Sequence, residues 1–420
     1  MRFLIAILAI LLNGCSGCSS NGSAKDAGAD TGTSSDTDTD VDSDTDTDSD
    51  TDTDTDTTPE GFVPDAGPWE WTDLPDSGDC GQIGCRQLTF SYEVRELEWD
   101  VWDNLLSFND GGSITYVVNY AEGKQLTVPN VYPAISIGQY SDSANLYPAT
   151  IYEQTVCYSK LAGNETEFFG DVICADLDAE TQQLIYHRPK EGDDYPNPAK
   201  YIDIYGDRIV STGGCGDLMD SWPLCVFDIE TPGIYEEIAP DQYGGYNSMW
   251  GDIVVWTLAY TDNDIRGYNF STQQFIEVTD DDNTEHQLAA RIHGDRVVYM
   301  DMRFGDSDPM GDWNHAAIFM YEISTGTTTQ ITSGAWIAAY PDVYNNIIIW
   351  ADYRDSANPN NKNSLSGVEI WGYNIDTSNE FQITNLPGRA KTTPRIWGDK
   401  VFVHMYKATS GNAIYMFDLP

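Results

Sequence analysis

Basic residues are scarce in this chain of 420: 21 Lys and Arg face 68 Asp and Glu, for a formal charge of −47. A surface of that sign repels phosphate backbones, which argues against any nucleic-acid partner. Long apolar runs are missing too; the longest, Phe3 to Leu12, is too short to cross a bilayer. Only five His occur, with no HxxxH or HxH pair, and there is no Gly-x-Ser-x-Gly elbow, phosphate-cradling glycine loop or HExxH. No apolar period of 3.6 residues persists, so helices are not the building material. Acids suited to glycoside hydrolysis abound, but nothing singles out two of them. No catalytic residue is assigned.

What is present begins with an address. Arg2 precedes the apolar run, and Leu12-Asn13-Gly14-Cys15 follows it. This resembles a bacterial lipoprotein signal (residues 1–14), in which a small residue precedes a cysteine that is lipidated and becomes the mature N-terminus. The resemblance implies a lipid on Cys15 and a membrane partnership through it. With Ser16 rather than Asp behind that cysteine, it implies the outer membrane, on the periplasmic face or the cell surface. The competing reading is an ordinary secretory signal cleaved nearby. From Asp36 to Asp56 every second residue is Asp, eleven in all. With almost nothing apolar to bury and like charges repelling, residues 15–60 read as a solvated tether, on the order of 40 Å long as a coil. Evenly spaced Asp without Gly turns makes no calcium cage.

Beyond Cys15 and Cys18, six cysteines fall in near pairs: Cys80/Cys85, Cys157/Cys174 and Cys215/Cys225. In an exported protein this reads as three local disulfides. Metal binding competes, but none of these pairs has CxxC spacing and no His sits among them in a ligand pattern. Residues 61–85, with Pro64, Pro68, Trp69, Trp71 and Pro75, read as a loosely structured lead-in clipped by Cys80/Cys85.

The remainder, 86–420, is a repeat. An aromatic or His recurs at Trp102, Tyr152, Tyr205, Trp250, His293, Tyr344 and Trp397, spaced 43 to 53 residues apart. The residue before it is always apolar, from Val101 to Ile396. The one before that is always polar: Asp100, Thr150, Asp203, Ser248, Arg291, Asp342 and Arg395. Behind it comes a two-residue turn such as Gly251-Asp252 or Asn345-Asn346, then an apolar run such as Ile253-Val254-Val255-Trp256. Gly, Asn and Asp tolerate the positive φ of tight hairpins, and β-branched neighbours favour strands. A third strand (Phe319-Met320-Tyr321-Glu322) and a short fourth (Gln330-Ile331-Thr332, Gln382-Ile383-Thr384) complete each unit. Four antiparallel strands at this period make an all-β fold, a seven-bladed β-propeller.

The last unit stops after its third strand, and Arg86-Gln87-Leu88-Thr89-Phe90 is an orphan fourth strand of the same type. Pairing the two closes the ring and leaves no open edge. The Gly-Asp turns and "MYEISTGTTTQIT" (320–332) are similar to the TolB-like group of propellers. That resemblance implies a fold and hardly any activity.

Function is expected on the face opposite the Gly-Asp turns, where the second-to-third loops vary. Blades five and six carry long ones, 301–315 and 352–367. Both open with Asp-x-Arg, Asp301/Arg303 and Asp352/Arg354, either a polar-ligand site or a loop-shaping ion pair. Asp306, Asp308 and Asp312 offer carboxylates at calcium-like spacing without the EF-hand Gly and Glu, so Ca²⁺ is a weak candidate and no cofactor is required. His315 lies near this face, as do His187 and His286; His404 is expected to end a second strand, and His293 stands in for Tyr. Trp222, Trp313 and Trp336 lie in or beside loops, where they can stack on a sugar or partner.

The expectation is an exported lipoprotein whose propeller binds a protein or glycan without chemistry. The alternative is a polysaccharide lyase or hydrolase using loop-face His or acids; a third reading makes the domain a spacer. Each predicted disulfide should show as a gain of two hydrogens on reduction of the mature protein, measured by intact mass. Free thiols among the six would contradict the pairing.

Overall fold

Each of the seven turns holds its first residue in the left-handed region of backbone space. φ is +48° at Asp103, +51° at Glu153, +62° at Gly206, +58° at Gly251, +60° at Gly294, +52° at Asn345 and +61° at Gly398. A Cβ added to Gly206, Gly251, Gly294 or Gly398 would meet nothing within 4 Å. Glycine is therefore favoured here for the backbone angle and not for space. The turn joins antiparallel strands in tight register, as where Trp250 faces Ile253.

The structure is a computed structural model. It describes residues 67–75, 80–90, 99–109, 114–129, 131, 149–163, 168–189, 199–215, 222–239, 244–259, 263–279, 286–304, 315–407 and 411–420. These form 29 strands in seven antiparallel sheets, with no helix among the described residues. Blade four is representative: Gly244–Trp250, Ile253–Ala259, Asn263–Asn269 and Gln274–Glu277, in sequence order. Second strands are sandwiched between neighbouring blades, which is why they read as unbroken apolar runs rather than alternating ones. Val254, Val255, Trp256, Ile348, Ile349 and Trp350 are all fully buried. The core is thus a set of blade-to-blade clusters; the largest runs through blades five, six and seven.

Cys85–Gln87 forms the fourth strand of blade seven, with Arg86 opposite Met416 on Gly411–Asp418. The match to blades five and six extends to side chains. Gln87 Nε2 donates to the Thr89 carbonyl at 2.7 Å, and Thr89 Oγ1 accepts the Ile414 N–H at 2.9 Å. In blade five Gln330 and Thr332 make the same two bonds, at 2.8 and 2.9 Å. In blade six Gln382 and Thr384 repeat them, at 2.8 Å each. The Gln-Leu/Ile-Thr motif is therefore a clasp at the exit of the fourth strand. The strand itself lies further upstream than the sequence reading placed it, at Thr327–Gln330 and Asn379–Gln382.

Two further expectations need correction. The lead-in is not all loose: Trp71–Asp73 pairs with Lys124–Thr127 and gives blade one a fifth, outermost strand. His404 does not end its strand but sits within Lys400–Lys407, fully buried. All three disulfides are present, at Cys80–Cys85, Cys157–Cys174 and Cys215–Cys225. The first clips the chain at the entry of the closing strand. The second joins directly opposed residues of two strands in blade two.

Turn geometry makes a measurable prediction. Gly251→Ala should cost about 1–2 kcal/mol, because a Cβ opposes the left-handed angle although nothing else touches it. Glu153→Gly, relieving the same angle, should gain up to about 1 kcal/mol. Chemical denaturation of both variants checks the pair of signs.

Candidate functional site

Along each first strand, side chains two apart face the propeller axis, and the residue between them faces the blade interior. The sequence triplet of polar, apolar and aromatic residues therefore becomes two stacked rings around the axis. The aromatic ring is a closed rosette. Successive centroid distances are 4.3 Å from Trp102 to Tyr152, 4.8 Å to Tyr205, 5.2 Å to Trp250 and 3.9 Å to His293. They continue at 4.6 Å to Tyr344, 4.9 Å to Trp397 and 4.3 Å back to Trp102. His293 fills an aromatic place as a neutral ring: burial and the nearby Arg296 push it down to about 4. Its Nδ1 accepts the Asn345 N–H at 3.2 Å.

The polar ring stitches blades together. Asp100 accepts the Ile151 N–H at 3.2 Å, Asp203 that of Met249 at 2.7 Å, Ser248 that of Ile292 at 3.4 Å, and Asp342 that of Ile396 at 2.9 Å. Each of these bonds runs from one blade to the next. Burial raises all three carboxyls against the opposing pull of Arg291, Asp203 to about 7 and Asp342 to about 6, with Asp100 raised as well. Thr150 Oγ1 lies 2.9 Å from Asp100 Oδ2 and 3.1 Å from Asp203 Oδ1. A single hydroxyl hydrogen cannot serve both, so the Thr150 hydroxyl donates to one carboxyl and accepts from the other in its protonated form.

On the loop face, Asp301 and Asp352 are fully buried and saturated from within. Asp301 accepts the Arg303 backbone N–H and Nε, both at 2.9 Å. Asp352 accepts the Arg354 N–H, Nε and Nη2 at 2.8–2.9 Å, together with the indole N–H groups of Trp336 (3.2 Å) and Trp350 (2.7 Å). These carboxylates shape their loops and fix the guanidinium groups against rings. Arg303 lies 4.9 Å from the Phe319 centroid; Arg354 lies 4.0 Å from Trp371 and 4.7 Å from Trp336. His315 Nε2 donates to the Gly334 carbonyl at 2.6 Å and packs against Phe304, which is 45% exposed. Trp222 is capped by the Lys200 ammonium at 3.5 Å.

Trp313, Asp306, Asp308 and Asp312 lie outside the described residues. Among the described residues, no three of His, Cys, Asp and Glu gather as metal donors. His187 pairs with Asp171 at 2.7 Å, His286 with Asn263 at 2.9 Å, and His404 with Thr392 at 3.3 Å. The polar positions of the axial ring carry no recognised catalytic or binding motif in the sequence. Their signal was the strict polar-apolar-aromatic order.

No protein-family description matches this sequence, and no curated protein does. Solved structures do. The β-propeller domain of the trilobed protease from Pyrococcus furiosus superposes with a TM-score of 0.53 at 10% identity, covering 79% of this chain and 95% of that one. An oligogalacturonate lyase from Vibrio parahaemolyticus gives 0.53 at 13% identity, covering 84% and 99%. A protein described as a TolB, from Agrobacterium tumefaciens, gives 0.39 at 10%, covering 66% and 91%. What the first two share with this chain is the fold.

The axial ring carries a pH signature. Asp203 and Asp342 keep protons to about pH 7 and 6 when folded, against 3.8 for an ordinary Asp. Folding therefore takes up protons, and stability falls as pH rises from about 4 to about 7. His293 acts oppositely, withdrawing stability as pH falls from 6.5 to about 4. Melting temperature across that range should fall less steeply in Asp203→Asn than in the parent. Parallel profiles would show that the ring does not titrate as described.

Proposed function

We propose that this protein is an exported, lipid-anchored binding module that meets its partner on the loop face of blades five and six and performs no chemistry there. The observation that carries the reading is the preorganised patch of Arg303, Arg354, His315 and Phe304. Its buried carboxylates hold the cations in place, so little side-chain freedom is lost on binding. Fixed guanidinium groups, 32% and 20% exposed at Arg303 and Arg354, stand out on a chain of charge −47. They suit a protein or glycan partner that carries acidic groups. The lipid on Cys15 and the Asp-rich tether would hold this face away from an outer membrane.

The lyase alternative draws on the fold shared with a protein named as an oligogalacturonate lyase. It has less support from side chains, because His404 is buried inside a strand and the described His each keep a separate partner.

Capture of envelope proteins and of an immobilised glycan set by the full-length protein tests the proposal. Phe304→Ala, which disturbs no buried charge, should weaken capture about tenfold, the loss typical of an exposed aromatic anchor. Capture unaffected by this change and by Arg354→Lys would move the binding surface elsewhere. Turnover of a polysaccharide, abolished by chelator, would replace the proposal with the lyase reading.

A further inference from the structure

Two guanidinium groups line the propeller axis, those of Arg291 and Arg395. Arg291 lines all three cavities along the axis and acts on the ring carboxylates through space. Arg395 lines the same three and is only 6% exposed. It donates Nη1 to the carbonyl of its neighbour Pro394 at 3.2 Å and leaves Nε without any partner. An unpartnered buried donor of this kind ordinarily costs a kilocalorie or more, so it points to something that joins it. The same chamber has an orphan acceptor: Asn247, also 6% exposed, has no partner for Oδ1.

The cavities measure about 70, 40 and 20 Å³. A single water needs roughly 10–15 Å³ of such space, so the axis has room for a ligand of a few heavy atoms. The axial aspartates do not compete for Arg395, since their oxygens are engaged by backbone N–H groups of adjacent blades. The backbone is also unusual at this level. The first strands of blades three to seven each slip register by a bulge here. Tyr201, Ala289, Tyr340 and Thr393 take φ of +47°, +56°, +53° and +42°. Bulges re-aim side chains, and strained residues of this type cluster at ligand sites.

We infer that this axial chamber binds a small organic carboxylate bearing a hydroxyl or amine. The acid group lies on Arg395 and Arg291, and the ligand's donor meets Asn247 Oδ1. Tyr201 and Tyr246, with ring centroids 4.4 Å apart, flank the carbon body. Planar guanidinium groups match carboxylate geometry, and a donor on the ligand answers the open acceptor of Asn247. The site is separate from the loop patch of blades five and six and stands whether or not that patch binds a partner.

The test uses full-length protein freed of buffer acids and titrated by calorimetry with acetate, lactate, glycine and methyl lactate. Saturable binding is expected for lactate or glycine, at least tenfold tighter than for acetate, and none for the uncharged ester. Asn247→Ala should reduce lactate and glycine to the affinity of acetate. Arg395→Gln, checked for an unchanged melting curve, should abolish binding of all three acids. If that variant fails to fold, Asn247→Ala decides alone. Absence of saturable binding by every acid, equal binding of the ester, or indifference to Asn247→Ala would overturn the inference and leave the chamber to solvent.

Discussion

Four of the seven blades present to the preceding blade a first-strand N–H that an axial side chain takes, and a buried N–H must be answered. The answer is an axial side chain from the preceding blade: Asp100 to Ile151, Asp203 to Met249, Ser248 to Ile292, Asp342 to Ile396. This girdle sets the distance between first strands and so the width of the axis. It requires short acceptors at those positions, and three are carboxyls held in a dry place where burial favours the proton. Arg291 compensates their charge. Everything placed around the axis, from the rosette below to the chamber above, inherits its geometry from these bonds.

Two kinds of charged residue follow from the same fold and differ in what they leave available. Asp301 and Asp352 resemble site residues in sequence but spend their oxygens on their own loops, and only the guanidinium partners face outward. Arg395 is more buried, yet it retains an unanswered donor. Exposure is therefore a poor guide to availability here; the hydrogen-bond inventory of each group is a better one. A rigid ring carrying both an outward patch and an axial chamber can recognise a large partner and a small ligand independently.

Much of the architecture was legible because one short pattern was written seven times. Trp250-Gly251-Asp252 and its six counterparts announced a hairpin through turn chemistry alone, and Gln87-Leu88-Thr89 announced the closing strand through its likeness to Gln330-Ile331-Thr332. Other features were not legible. Trp71–Asp73 is a three-residue strand without alternation, recruited by an exposed edge in blade one. The fourth strands lie upstream of their motif because Gln and Thr mark the clasp rather than the ladder.

By itself the sequence determined the blade count, the turns, the disulfide pairs and the two-residue offset between polar and aromatic positions. All of these are local, set by backbone angles and short spacings. Only the tertiary structure decided that residues some fifty apart meet as rings, that Asp352 is spent while Arg395 is not, and that His293 stays neutral. Those properties depend on which groups share a desolvated volume, and that volume exists only once seven blades have closed around it.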